Sequence, residues 1–160
     1  MTRVVRTDAD TAYGVVSDVV ATASHSEELL EVGWLARADP ARISVADRFQ
    51  ALNKLGETRW TSNATVIVAD PGRAFAFVVG DLAHPTATWT FQLSAVGERA
   101  TEVTYTVEFG DGPSMLDRAS GGDPQRRAQM ADRRLDALQA GMGALLARLA
   151  DQVTADPRTD

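Results

Sequence analysis

The 160-residue sequence contains no cysteine, which excludes disulfides, thiolate nucleophiles and cysteine metal sites. Histidine is nearly absent: His25 and His84 stand alone, without a partner at metal-ligand spacing, so no metal is expected. Lysine occurs once, at Lys54, and the formal net charge of −6 repels nucleic-acid phosphates and anionic lipid surfaces. No apolar run approaches membrane-spanning length, and the opening MTRVVRTDAD lacks the apolar stretch of a signal peptide. There is also no Gly-x-Ser-x-Gly elbow, P-loop or dinucleotide fingerprint. The absences point to a cytoplasmic protein without cofactor, membrane insertion or nucleic-acid partner.

The composition that remains is globular. Apolar residues make up 44% and charged residues 24%, in a chain long enough to enclose one core. Arg3 to Arg6 suggests a short strand. Thr7-Asp8-Ala9-Asp10 offers a helix N-cap, with Tyr13, Val16 and Val20 following at helical spacing. Ser24-His25-Ser26-Glu27 repeats the capping pattern before Leu29 and Leu30 and predicts a second short helix. From Val32 the apolar period changes to two. Val32–Ala38, Val45–Lys54, Thr58–Ala69, Arg73–Gly80, Thr86–Val96 and Thr101–Phe109 read as strands. Asp70-Pro71-Gly72 fits a reversal, because Pro presets φ at the second turn position and Gly accepts a positive φ at the third. No connection is long enough for a crossover helix, so the sheet should be antiparallel.

Gly110 to Pro124, rich in Gly, Asp, Ser and Pro, reads as a loop. Asp123-Pro124 then opens a long helix to about Val153, with Ala131, Leu135, Leu138, Met142, Leu145 and Leu149 on one stripe. Residues 1–153 are expected to form a single domain, and 154–160 a frayed tail. The order strand, two helices, six-stranded meander, long helix predicts an α+β fold in which sheet and terminal helix cover each other's apolar faces.

The stretches Asp47-Arg48-Phe49 to Asn53, Arg59-Trp60, Ala64-Thr65-Val66, Asp70 to Phe77 and Ala87-Thr88-Trp89-Thr90-Phe91 carry a resemblance. In order and spacing they are similar to the START/Bet v1-like (SRPBCC) superfamily, and within it to the bacterial polyketide cyclase/dehydrase and lipid-transport group. The resemblance covers Val45 to Leu93 specifically and the ends through element order. It departs in the short first strand and in lacking the tryptophan-proline segment that many relatives carry after Asp18. It implies a helix-grip fold: a curved antiparallel sheet of about seven strands around a long C-terminal helix, with an apolar cavity between. It does not imply one reaction, since members include cyclases, lipid carriers and binders.

The alternation assigns inward-facing sets. They are Phe49, Ala51 and Asn53; Trp60, Ser62, Ala64, Val66 and Val68; Phe75, Phe77 and Val79; Ala87, Trp89 and Phe91; and Val103, Tyr105 and Val107. Asn63 falls on the opposite face. The aromatics serve either as packed core or as cavity wall, and the small and polar residues among them favour a cavity. Phe49, Trp60, Ser62, Phe77, Trp89, Phe91, Leu138 and Met142 are therefore candidate ligand contacts. Arg127 and Arg134 fall near the inner helix face, where they could meet a ligand carboxylate or phosphate, or snorkel into water. Tyr105 and Asn53 are the candidate catalytic groups, one as a hydrogen-bond donor to a carbonyl and the other orienting an oxygen; each could instead satisfy the backbone. Asp18 and His25 could meet as a base and its orienter. Gly141 at the stripe's edge suggests close sheet approach or ligand volume, whereas Gly143 projects away from the stripe.

Three functions are open to such a fold. The first is a carrier or binder of a hydrophobic or amphipathic, polyketide- or lipid-like molecule. The second is a cofactor-independent cyclase/dehydratase acting by orientation and carbonyl polarisation. The third, an interaction module using the outer sheet face, is disfavoured by the polar Thr88, Thr90, Gln92, Thr104 and Thr106 there. A monomer or homodimer is expected.

Overall fold

The computed structural model describes residues 1–152 except Ser24, His25 and Glu27. The expectations for His25 and the capping segment around it, for the Leu149 side chain, for Val153 and for 154–160 lie outside what is described. The elements are β1 (Thr2–Val5), α1 (Ala9–Ser17), α2 (Val19–Ala23), β2 (Leu29–Ala36), β3 (Arg48–Leu55), β4 (Thr58–Asp70), β5 (Ala74–Gly80), β6 (Pro85–Gly97), β7 (Ala100–Phe109), α3 (Met115–Ser120) and α4 (Pro124–Gln152). The seven strands form one antiparallel sheet in the order β1-β7-β6-β5-β4-β3-β2. Strands β2 to β7 are a meander, and β1 closes on β7. With α4 following the sheet and two short helices after β1, this is the helix-grip arrangement.

The Asp70-Pro71-Gly72 corner forms as its chemistry requires. Arg73 N–H donates to the Asp70 carbonyl at 3.0 Å, and Gly72 has a φ of 71°. A side chain at Gly72 would also strike α1, since its Cβ would lie 2.6 Å from Asp10 Oδ1. The turn and the helix thus need the same glycine. Helix α1 is capped by Asp8, whose carboxylate accepts from Thr11 N–H at 2.8 Å, a bond that holds the carboxyl below its usual pKa.

Tyr13 and Val16 of α1 join Val5, Val66, Phe75, Phe91, Val103 and Leu146 in the buried core. Its aromatic part continues across the sheet. Phe75 stacks on Phe91 with centroids 6.2 Å apart, Phe77 on Trp89 at 5.7 Å, and Phe49 meets Phe77 edge-on at 5.1 Å.

Four sequence expectations are corrected. The second helix lies at Val19–Ala23, ahead of the capping pattern, because Asp18 caps it through Ala21 N–H at 3.0 Å; Leu29 and Leu30 instead open β2. Strand β2 begins and ends earlier than expected and β3 begins and ends later, and buried Asp47 ties down the longer connection between them. Its two carboxylate oxygens accept from Ala38 N–H at 2.8 Å and Ser44 N–H at 2.9 Å, and Ala46 beside it takes a φ of 72°. A bulge in β4 shifts the register between Val66 and Val68, so that Val68 pairs with outward Ala76, and Ala69 takes the inward place opposite Phe75. Finally, the Gly110–Pro124 segment is not all loop. Ser114 and Asp117 form a capping box that starts α3, and Gly121, with φ 64°, ends it.

Candidate functional site

Helix α4 does not lie flat on the sheet. Leu145 and Leu146 are its only fully buried residues among those whose side chains are described, and nothing between Pro124 and Ala144 reaches that depth. The first half of the helix stands off the strands and roofs a cavity of about 900 Å³. Phe49, Phe77, Val79, Trp89 and Phe91 form its sheet wall, with Val16 and Val19 below and Leu138, Met142 and Leu145 above. Gly141 also fronts this space. Leu135 does not: it is turned to solvent, and the lining face instead runs through Arg127, Arg134, Leu138, Gly141, Met142 and Leu145.

Polar groups gather where β3 ends and β4 begins. Asn53 pairs with Trp60 across the two strands, and Ala51 with Ser62. The Asn53 amide nitrogen donates to the Ala51 carbonyl at 3.1 Å and to Ser62 Oγ at 3.0 Å, with the Trp60 carbonyl at 3.4 Å. Asn53 is 5% exposed, and Trp60, Ser62 and Asn53 all line the cavity. Asn63 accepts from the Gln50 amide on the other face at 3.0 Å.

Both candidate arginines reach the cavity, and each already has a carboxylate. Arg134 Nη2 lies 3.2 Å from Glu28 Oε2, and its guanidinium sits 5.7 Å from the Trp60 ring centroid. About four-fifths of each side chain in that pair is buried, at 19% and 18% exposed. Arg127 Nε pairs with Asp117 Oδ1 of α3. The Ser114 hydroxyl, followed by the Arg127 guanidinium, brings the Asp117 carboxyl down to about 2. Through this contact α3 is tied to α4, and Met115, Leu116 and Arg118 of α3 complete the cavity rim.

Tyr105 is placed differently from the other candidates. Its ring packs against Phe91 at 4.9 Å and Trp89 at 5.7 Å, and it does not line the cavity. The hydroxyl is buried without a hydrogen-bond partner among the described residues, and burial drives its pKa well above the usual tyrosine value. Asp18 is an exposed helix cap. His84 is also exposed, 3.2 Å from Asp111. Among the described residues no cluster of His, Asp or Glu has the makings of a metal site. Nor is any helix there long and apolar enough to cross a membrane.

Sequence reasoning missed Glu28 and α3. Glu28 gave no signal, since its pairing with Arg134 exists only in three dimensions. For α3 the signal was present in Ser114-Met115-Leu116-Asp117, a capping box that the surrounding glycines and prolines obscured.

The family described as polyketide cyclase / dehydrase and lipid transport matches residues 1–153. The chain belongs to this family. No curated protein matches it. Among solved structures, the Zhui aromatase/cyclase from Streptomyces sp. R1128 is similar with a TM-score of 0.72 at 16% identity, covering 97% of this chain and 94% of that one. A polyketide-cyclase-like protein, Cgl2372 of Corynebacterium glutamicum, gives 0.64 at 21% identity over 96% and 89% of the two chains. A START superfamily protein from Mycobacterium smegmatis gives 0.60 at 18% identity over 93% and 96%. At these identities the likenesses show a common fold, and this polyketide cyclase/dehydrase family member's function must be argued from its own cavity.

Proposed function

We propose that the protein binds a hydrophobic or amphipathic small molecule, polyketide- or lipid-like, as a carrier or binder. The cavity carries this reading. About 900 Å³ of space walled by aromatic and aliphatic side chains, with polar groups such as Asn53, Ser62 and Arg134 set among them, is what a ligand with an apolar body needs. The partner is then the small molecule itself, and neither a cofactor nor a nucleic acid is required. The cytoplasm is the compartment we assign, consistent with a chain that makes no use of cysteine.

The test uses the native tryptophans. Trp60 and Trp89 line the cavity, whereas Trp34 packs against Phe49 and does not. A panel of apolar probes should change the fluorescence saturably, and Trp60→Phe and Trp89→Phe should each reduce the change. Absence of binding across the panel, or a response from Trp34 alone, would sink the proposal. Native mass spectrometry of protein from its own host would then identify the bound molecule.

A second reading, cyclase/dehydratase, is favoured by the Asn53–Ser62 pair on the cavity wall and by the likeness to an aromatase/cyclase. There the Ser62 hydroxyl or an arginine would polarise a carbonyl while the walls fold the chain. A role for Tyr105 has less support, because its hydroxyl lies outside the cavity. Single-turnover product formation on whatever ligand copurifies separates the two readings: wild-type turnover favours the enzyme, its absence the carrier.

A further inference from the structure

The hydrogen bonds of Asn53 fix which way its amide points. Its nitrogen faces the carbonyls of Ala51 and Trp60, which can only accept, so a flipped amide would set oxygen against oxygen. The Oδ1 atom is consequently turned away from these partners, and no described residue donates to it. Ser62 complements it. Its oxygen accepts from Asn53 at 3.0 Å, which leaves the hydroxyl proton free to donate. The wall therefore offers one acceptor and one donor side by side, on two residues that both line the cavity.

The charges near this pair are already balanced. Arg134 is held by Glu28 and Arg127 by Asp117, so the charge of each guanidinium is already neutralised, while N–H groups such as the buried Nε of Arg134, unpartnered among the described residues, are left for a neutral oxygen. An anionic ligand would set a second negative charge beside Glu28 or Asp117, a repulsion that a neutral oxygen does not meet. The remaining charged lining residues, Arg48, Asp81 and Arg118, are exposed, where water and salt screen them.

We infer that the ligand is uncharged and carries a hydroxyl group, an alcohol, phenol or enol, which the Asn53–Ser62 pair recognises. Its O–H donates to Asn53 Oδ1, and the same oxygen or a neighbouring one accepts from Ser62. This inference rests on the small-molecule reading above and narrows it: it sets long-chain carboxylates and phosphates aside in favour of neutral oxygenated molecules. A site whose cavity-wall acceptor is met by one ligand and left unmet by its analogue discriminates against the analogue.

The experiment compares three probes of one size by titration calorimetry: 2-naphthol, 2-naphthoate and 2-methylnaphthalene. The naphthol should bind about tenfold more tightly than the other two, since one net hydrogen bond is worth roughly that factor. Ser62→Ala, a small change at a partly exposed residue, should remove much of that preference and leave 2-methylnaphthalene affinity within about twofold. Asn53→Leu should remove the rest, with a melting curve to establish that it is folded; should it not fold, Ser62→Ala decides alone. Tightest binding by 2-naphthoate, weakened by salt, would overturn the inference while leaving the cavity reading intact. The same holds for equal affinity of naphthol and methylnaphthalene. Binding of none of the three would instead overturn the cavity reading, and the inference with it.

Discussion

Two leucines on α4, eight positions apart, make a direct test of the cavity. Leu146 is 0% exposed and packs in the core with Val5 and Val103, whereas Leu138 fronts the open volume. Truncating Leu146 to alanine removes buried methyl and methylene groups and leaves a hole that the sheet cannot close. Such substitutions cost about 2–5 kcal/mol, and full burial places Leu146 in the upper half, at roughly 3–4 kcal/mol. In a domain of this size that lowers Tm by about 6–16 °C. At Leu138 the same truncation enlarges a space that is already present. It forfeits only the contacts on one side of the side chain, about 1 kcal/mol or less, and so no more than about 4 °C. Guanidinium unfolding of both variants, with ligand stripped, measures the difference directly. The m-value should stay unchanged in each, since neither alters the surface exposed on unfolding. Equal losses at the two positions would refute the reasoning, because they would mean that α4 closes onto the strands in solution and that Leu138 is ordinary core.

Two further outcomes follow from the site. Tyr105→Phe deletes a buried hydroxyl that has no partner, so stability should hold or rise by up to about 1–2 kcal/mol, with ligand affinity unchanged; a loss beyond 1 kcal/mol would reveal a hidden partner such as a trapped water. Asp117 should titrate near 2 by carboxyl-carbon NMR, and because its folded pKa lies below the unfolded value of 3.8, the stability it contributes is present above about pH 4 and lost as pH falls toward 2. Ser114→Ala should raise that midpoint more than Arg127→Gln does, and an ordinary midpoint in the wild type would mean that α3 is not tied to α4.

The strands were legible because their chemistry is local. Alternation in Phe75, Phe77 and Val79, and in Ala87, Trp89 and Phe91, survives in the structure as matched pairs Phe75–Phe91, Phe77–Trp89 and Val79–Ala87. Val68 was assigned to the wrong face because a bulge has no signature in the alternation that it interrupts. Outward Ala76 and Val78 are nonetheless buried, at 2% and 5% exposed, on the central strand between β4 and β6, a place that depends on pairing rather than on residue type. The site divides in the same way. Asn53 and Ser62 could be proposed from their places among aromatics, but the depth of Tyr105 and the carboxylates that neutralise Arg127 and Arg134 come from elements distant in sequence. Gly143 remains sterically free: an added Cβ would meet only the tip of Met1, at 3.8 Å.

The roof of the cavity has a consequence for the lifetime of the protein. From Pro124 to Ala144 the helix has no fully buried residue, and its described ties to the rest of the chain include two ion pairs rather than a packed core. Such a segment opens locally at far less cost than global unfolding, and a protease samples it in proportion to the open population. A ligand filling the space beneath supplies the missing contacts and closes that route by mass action. The first cut in empty protein should therefore fall between Gly121 and Ala144, while filled protein persists. If a ligand fills the cavity, abundance in the cell should follow ligand supply through degradation of the unfilled chain, with no change in synthesis.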